Sequence, residues 1–345
     1  MDVVMIGAGM VAQTHLLALR DNSAGARLVG VLGRDDARTA DFCTNASETL
    51  GYGVAPLGDP EAVASTGAEG AILITPPDAR IEYARTLVKA GIPTLMEKPV
   101  ERTLDAARDL VQLYSKANVP LALCFQHRTR AAAQHLKQKL DTGALGDIVH
   151  VELRVPWWRE QAYYDAPGRG TYARDGGGVM INQAIHTLDL GLWLAGPVAA
   201  LQAMMRTSAL HRMEAEDIAA ALLTFRSGAT GVLSATTTAY PGAAESITVT
   251  TTQGQAHLEG DHLRIDWLTG EREKLSPDGA GETGGGADPM AFTHAWHQSI
   301  LEDFVMSVAQ GRPPIAPPSE ALHVHAVIDA MERAARTGTT VEVAA

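Results

Sequence analysis

Val3-Val4-Met5-Ile6-Gly7-Ala8-Gly9-Met10-Val11-Ala12 decides the fold. Four apolar residues run straight into Gly-x-Gly-x-x-Ala, and a helical stretch, Ala12–Arg20, follows. In a strand–turn–helix context each small residue has its own role. Gly7 permits the tight turn, Gly9 lets a pyrophosphate approach the backbone, and Ala12 allows close helix–strand packing. The amides of Met10 and Val11 open the helix, where its positive end meets phosphate. Gly7, Gly9, Met10 and Val11 are therefore read as dinucleotide-binding.

The same unit repeats outward from this stretch. Apolar runs at Val3–Ile6, Leu28–Leu32, Ala71–Thr75, Thr94–Met96 and Leu121–Phe125 alternate with helical stretches at Ala12–Arg20, Ala37–Leu50, Ala79–Ala90 and Leu104–Ala117. Apolar runs without polar alternation suit strands covered on both faces. Strand–helix alternation predicts a parallel sheet with helices on either side. After about residue 145 the pattern changes. Ile148–Val155, Ala199–Thr207, Ile218–Phe225, Gly231–Thr238, Ser246–Thr252, Gln255–Leu258 and Leu263–Trp267 read as strands joined by short turns, an antiparallel succession. A helix over Gly178–Leu194 interrupts them, Ser276–Pro289 reads as a mobile Gly-rich loop, and helices at Phe292–Gln310 and Ser319–Arg336 precede a short strand, Thr340–Val343. The expected organisation is α/β: a Rossmann domain over 1–123, then a substrate-binding and oligomerisation domain over 124–345 with a large, mostly antiparallel sheet.

Composition narrows the function classes. The chain has 345 residues, 46% hydrophobic and 20% charged, which suits folded domains rather than a disordered or fibrous chain. With 28 Lys+Arg against 40 Asp+Glu the net charge is −12, poor for binding nucleic acid or anionic membranes. Cys43 and Cys124 lie far apart in apolar surroundings, so buried thiols in a reducing cytoplasm are expected, and no metal-type Cys/His spacing occurs. No apolar run reaches the ~18 residues of a membrane span, and "MDVVMIGAGM" does not read as a signal peptide.

The ribose end of the nucleotide site should follow the second strand, in Val31-Leu32-Gly33-Arg34-Asp35-Asp36. Gly33 stands where an acidic residue usually binds the ribose, and Arg34 follows. Loss of a carboxylate removes repulsion against a 2′-phosphate, and an Arg fork pairs with it, so NADP(H) is favoured over NAD(H). Two other readings stand beside this one: Asp35 or Asp36 takes the ribose role, or Arg34 stacks on adenine. Thr75-Pro76, Glu97-Lys98 and Gln126 lie at the ends of later apolar runs, where ligands of open α/β sheets sit, and complete the predicted cofactor set.

Two constellations carry chemistry. In Leu95-Met96-Glu97-Lys98-Pro99 the proline restricts Lys98 to extended geometry, so the backbone helps to place the ammonium. The second is Asp175-Gly176-Gly177-Gly178…Asn182-x-x-x-His186-x-x-Asp189, in which Asn182 and His186 share a helix face at i, i+4. Burying an amide, an imidazole and a carboxylate in an otherwise apolar helix requires either an internal network or a ligand. Between Arg154 and Tyr172 lie Trp157, Trp158, Arg159, Tyr163, Tyr164 and Arg169. Aromatic faces suit sugar rings and Arg forks suit anionic groups, so Arg159, Tyr164 and Arg169 are read as substrate-binding, while the two Trp alternatively cover the sheet or an interface.

Taken together, the Gly-x-Gly-x-x-Ala start, Glu97-Lys98-Pro99 and Gly-Gly-Gly…Asn182-x-x-x-His186-x-x-Asp189 resemble the Gfo/Idh/MocA oxidoreductases. The resemblance covers nearly the whole chain, including Arg312-Pro313-Pro314. It implies an NAD(P)-dependent enzyme acting on a secondary alcohol or ketone of a sugar, cyclitol or sugar acid. It also implies a homodimer or homotetramer packed through the second-domain sheet. Lys98 would polarise the reacting oxygen and His186 would act as general acid/base. Asn182 would stand where many members have Asp, without the ability to take a proton. Lys98, Asn182 and His186 would all contact substrate. Two rival functions are an NAD-retaining glycosidase using transient oxidation and a redox-inactive dinucleotide- or sugar-binding regulator.

Overall fold

A computed structural model describes residues 1–276 and 292–344; the loop read at Ser276–Pro289 falls, past its first residue, outside them. The chain divides into two compact units, 1–126 with 294–322 and 127–293 with 323–345.

The first unit is built on β1 (Asp2–Ile6), β2 (Arg27–Leu32), β3 (Ala55–Leu57), β4 (Gly70–Leu73), β5 (Thr94–Met96) and β6 (Leu121–Leu123). These form one parallel sheet in the order β3-β2-β1-β4-β5-β6. Val3, Val4, Met5, Ala71, Ile72, Leu73 and Leu95 are fully buried, as strands covered on both faces must be. β3 and the helix Pro60–Ser65 were not foreseen, because Ala-Pro-Leu is too short to show a period. The helix Ala295–Gln310 also belongs here. Ile300, Leu301, Phe304 and Val305 pack in one core with Val3, Met5, Leu16 and Leu28. The expected boundaries placed all residues after 123 in the second domain. The apolar stripe of this late helix instead completes the first core, a pairing set by packing and invisible to sequence order.

The second unit holds β7 (Ile148–Pro156), β8 (Val198–Arg206), β9 (Ile218–Phe225), β10 (Thr230–Thr236), β11 (Ser246–Thr251), β12 (Gly254–Glu259), β13 (His262–Trp267), β14 (Arg272–Leu275) and β15 (Val341–Glu342). Their order is β14-β13-β12-β11-β7-β10-β9-β8-β15. The sheet is antiparallel apart from the pair β7 and β10, which runs parallel with Leu233 opposite Leu153. On one face Val151, Leu153, Val155, Leu233, Ile247 and Val249 are buried. The helix Ile185–Ala195 lies close against β7, and a Cβ on its Gly191 would sit 2.6 Å from Leu153 Cδ2. On the other face Glu152 and Arg154 are exposed, as are Met204 and Leu222 at 48% and 59%. Among the described residues no helix is long and apolar enough to cross a membrane. Cys43 and Cys124 are buried free thiols.

Candidate active site

In the first unit the predicted nucleotide residues gather along the carboxyl ends of the parallel strands. Gly7 follows β1 at φ +113°, and its amide donates to Leu32 O at 2.7 Å. A Cβ there would lie 2.9 Å from Ile74 Cγ1, so both conformation and space demand glycine. Gly9 differs: a Cβ would meet nothing within 4 Å. Its smallness is not required by the chain's own packing and leaves the turn open to a ligand. Ala12 is 1% exposed against the core, and no side chain caps the helix start at Val11. An open turn beside uncapped helix amides fits a pyrophosphate. Met10 projects outward at 53% exposure. Thr75 is buried, and its Oγ1 has no hydrogen-bond partner among the described residues, an orphan hydroxyl that a bound nucleotide would satisfy. Pro76 beside it is exposed, and Gln126, after β6, is buried.

At the end of β2 the structure gives a packing reason for Gly33. A Cβ would fall 2.1 Å from Thr39 Oγ1, which is bonded to Asp35 O. The Asp35 carboxylate caps the next helix by accepting from Arg38 N at 3.0 Å, so it is already engaged. Arg34 is exposed, with no ion pair among the described residues.

Lys98 sits on a loop held by charged side chains. The Lys98–Pro99 bond is cis. Glu97 Oε2 accepts from Lys98 N at 3.1 Å, and Oε1 accepts from His15 Nε2 at 2.9 Å with His297 Nε2 at 3.6 Å. Burial acts to raise the Glu97 pKa. Hydrogen bonds from the two imidazoles, with their charge, outweigh it and hold this carboxyl well below the usual range. Burial pushes His297 down and the Cys124 thiol up, Cys124 with help from the Glu97 carboxylate. Arg80, fully buried, binds the carbonyls of Glu97 and Pro99 and reaches Thr75 O at 3.0 Å. Burial lowers its pKa to about 10, which leaves it cationic at neutral pH. Among the described residues, His15, Glu97, Cys124 and His297 are the set whose donor atoms converge tightly enough to hold a cation, within 4.8 Å. They are bonded to one another, and they converge from positions that no Cys/His spacing rule connects.

In the second unit the expected helix over 178–194 is not uniform: a π turn, Met180–Ala184, precedes the α-helix Ile185–Ala195. Insertions of this kind often mark functional segments. Asn182 lies in the π turn, and its Nδ2 donates to Gly177 O and Gly178 O at 2.9 and 3.0 Å. The glycine run is explained by Glu216. A Cβ on Gly178 would lie 1.8 Å from Glu216 O, and the Glu216 carboxylate accepts from Gly178 N and Met180 N, both at 3.0 Å. Burial raises the Glu216 pKa against those amide bonds. His186, 7% exposed, stacks on His127 with ring centroids 4.7 Å apart. Asp189 is removed from the expected stripe, because Arg128 grips it in a buried bidentate pair, Nε–Oδ2 2.8 Å and Nη2–Oδ1 2.5 Å.

The predicted substrate residues divide. Tyr164 is 7% exposed and its hydroxyl is bonded to Thr237 Oγ1 at 2.7 Å, so it supports the wall rather than presenting a polar group. Arg159 is 2% exposed, donates to Trp158 O and lies over the rings of Trp157 and Tyr163. The burial of both has one cause: aromatic and Arg side chains of this stretch pack on each other. Arg169 remains partly open, over Tyr163 at 5.1 Å and 3.9 Å from Asp175. Arg80, Glu216 and the His15 and His297 partners of Glu97 were missed, since single polar residues in ordinary helices and turns carry no motif.

Comparison with known proteins follows the same division. Residues 1–125 match the family model described as an oxidoreductase family with NAD-binding Rossmann fold, and 133–257 match the GFO/IDH/MocA C-terminal domain. The D-apiose dehydrogenase of Rhizobium rhizogenes (strain K84) is 25% identical, over 99% of this chain and 97% of that protein. The rhizopine catabolism protein MocA of Rhizobium meliloti is 26% identical, over 94% and 92%. The WlbA dehydrogenase of Bordetella pertussis, solved with NADH and UDP-GlcNAcA, superimposes with a TM-score of 0.81 at 28% identity, over 100% and 99% of the two chains.

Proposed function

The chain belongs to the Gfo/Idh/MocA family of NAD-binding oxidoreductases, and from that premise we propose that it oxidises or reduces a secondary alcohol/ketone of a sugar, cyclitol or sugar acid. The bound nicotinamide supplies the hydride acceptor or donor. His186 takes the hydroxyl proton on oxidation and returns it on reduction. Lys98 orients the reacting oxygen and stabilises charge that develops on it. Asn182, whose Nδ2 donates to Gly177 O and Gly178 O, fixes the entry to the His186 helix and contacts the substrate without taking a proton. Arg169 meets an anionic substituent of the substrate. The observation that carries this reading is the Lys98 loop: a lysine whose flanking backbone is fixed by the buried Glu97 carboxylate and the Arg80 guanidinium.

Gly7, Gly9, Met10 and Val11 hold the pyrophosphate, with Thr75, Pro76, Glu97 and Gln126 lining the remaining strand ends. NADP(H) is the better nucleotide. Position 33 cannot carry a carboxylate beside Thr39, Asp35 is engaged as a helix cap, and exposed Arg34 is left to meet a 2′-phosphate. The enzyme works in the cytoplasm as a homodimer or homotetramer, whose contact includes the exposed sheet face around Met204 and Leu222.

Thermal shifts with NADPH and NADH, followed by assays on a panel of sugars, inositols and sugar acids, test the reading. NADPH should stabilise more, and a polyol should reduce the oxidised nucleotide. His186→Ala should lower turnover by about 10²–10⁴-fold with nucleotide affinity kept. Wild-type turnover in that variant removes His186 from the mechanism, and tighter NADH binding reverses the cofactor preference.

A further inference from the structure

His127 has no part in the function above, yet it is 4% exposed and lies face to face with His186, the planes inclined by 27°. Its outer edge is anchored. Arg130 Nη2 is 2.6 Å from His127 Nε2. A guanidinium has donors only, so Nε2 must be the acceptor, and the single ring proton of His127 is on Nδ1. Arg130 is itself 1% exposed and pinned by Glu245 Oε1 at 2.6 Å and by Gly260 O at 3.1 Å. Glu245 immediately precedes β11, and Gly260 lies in the turn from β12 to β13. A chain of contacts thus runs from the sheet through Arg130 to His127 and on to the plane of His186.

A histidine ring turns about a broad terminal torsion, so its helix alone does not fix the direction of its nitrogens. A proton acceptor displaced by about 1 Å costs on the order of 10²-fold. We infer that His127 is a positioning residue for His186: held neutral by Arg130, it stacks on the imidazole and sets the plane in which His186 exchanges its proton. This rests on His186 being the acid/base, and it assigns His127 no contact with substrate.

The test uses the full chain. In wild-type protein at pH 7, ¹⁵N–¹H NMR of the ring nitrogens should give His127 as the neutral Nδ1–H tautomer; the Nε2–H tautomer or an imidazolium overturns the inference. The ring-current shift of the His186 Cε1 proton should collapse in His127→Ala and persist in His127→Phe, and a shift unchanged by His127→Ala overturns the stack. With the best substrate of the panel, His127→Ala should lower kcat by about 10–100-fold with KM nearly unchanged, and His127→Phe should restore most of it. Wild-type kcat in His127→Ala alongside an inactive His186→Ala refutes positioning alone. Full activity in His186→Ala refutes the assigned function instead, so the two failures are distinguishable. If His127→Ala does not fold, the wild-type tautomer and His127→Phe still decide.

Discussion

Under Lys98, the Glu97 carboxylate meets two imidazoles. At the head of the segment bearing Asn182 and His186, the Glu216 carboxylate meets two backbone amides. Both groups are buried and both hold a reactive segment in place. Their protonation preferences are nevertheless opposite. Burial disfavours either carboxylate. The imidazoles around Glu97 more than offset that cost, whereas neutral amides and the nearby negative charge of Asp217 leave Glu216 raised. Glu332 adds to this second region. Burial and Glu216 push it up to about 7. A buried carboxylate is thus a fixed anion only where protonatable or cationic groups face it, and the Lys98 loop has that arrangement.

The comparison can be broken most strongly at the reactive groups. Lys98→Met should lower kcat by about 10²–10³-fold with a much smaller effect on the melting temperature, since Glu97 and Arg80 hold the backbone of the loop. Steady-state kinetics beside a melting curve check this, and an equal loss of both would make Lys98 structural. Next comes Arg128→Met, which takes the guanidinium away from the buried Asp189 carboxylate. It should cost about 3–5 kcal/mol in denaturant unfolding, and Arg128→Met with Asp189→Leu should recover much of it. Glu97→Gln should cost about 1–3 kcal/mol, because the two imidazoles lose a charged acceptor. The same change at Glu216 should cost less near neutral pH, where keeping that group ionised is already unfavourable.

The smallest effect is the one that separates the regions by sign. Glu97 has a folded pKa below its unfolded value of 4.5, so the stability it contributes is present above that pH and is lost as pH falls through the folded value. Glu332 has a folded pKa of about 7 against 4.5, so the folded state binds the extra proton, and stability declines as pH rises from about 4.5 to about 7. Melting temperatures from pH 4 to 8 should show that decline weakened in Glu332→Gln and kept in Glu97→Gln. An unchanged profile in Glu332→Gln would remove Glu332 from the comparison.

Much of the nucleotide end was legible in sequence. Gly7 and Ala12 answer to conformation and packing local to one strand–turn–helix unit, Gly9 leaves that turn open, and the apolar runs fixed the sheet type because burial on both faces leaves no alternation. Of the second region only the residues proposed to carry the chemistry, Asn182 and His186, stood out in the sequence. Their supports did not, since Glu216 meets Gly178 from 38 residues away and Arg128 meets Asp189 from 61. The burial of Arg159 and Tyr164 was not legible, because composition shows which side chains are near in the chain and not which ones pack on each other.

The sequence by itself determined an α/β chain with a dinucleotide turn, a lysine at a strand end and a histidine on an apolar helix, because those features depend on local conformation and periodicity. Tertiary structure alone decided that a late helix completes the first core, that Asp189 belongs to Arg128, and that His127 lies on His186. Those outcomes depend on long-range packing and on pairing buried charge, where the partner is chosen by space rather than by spacing.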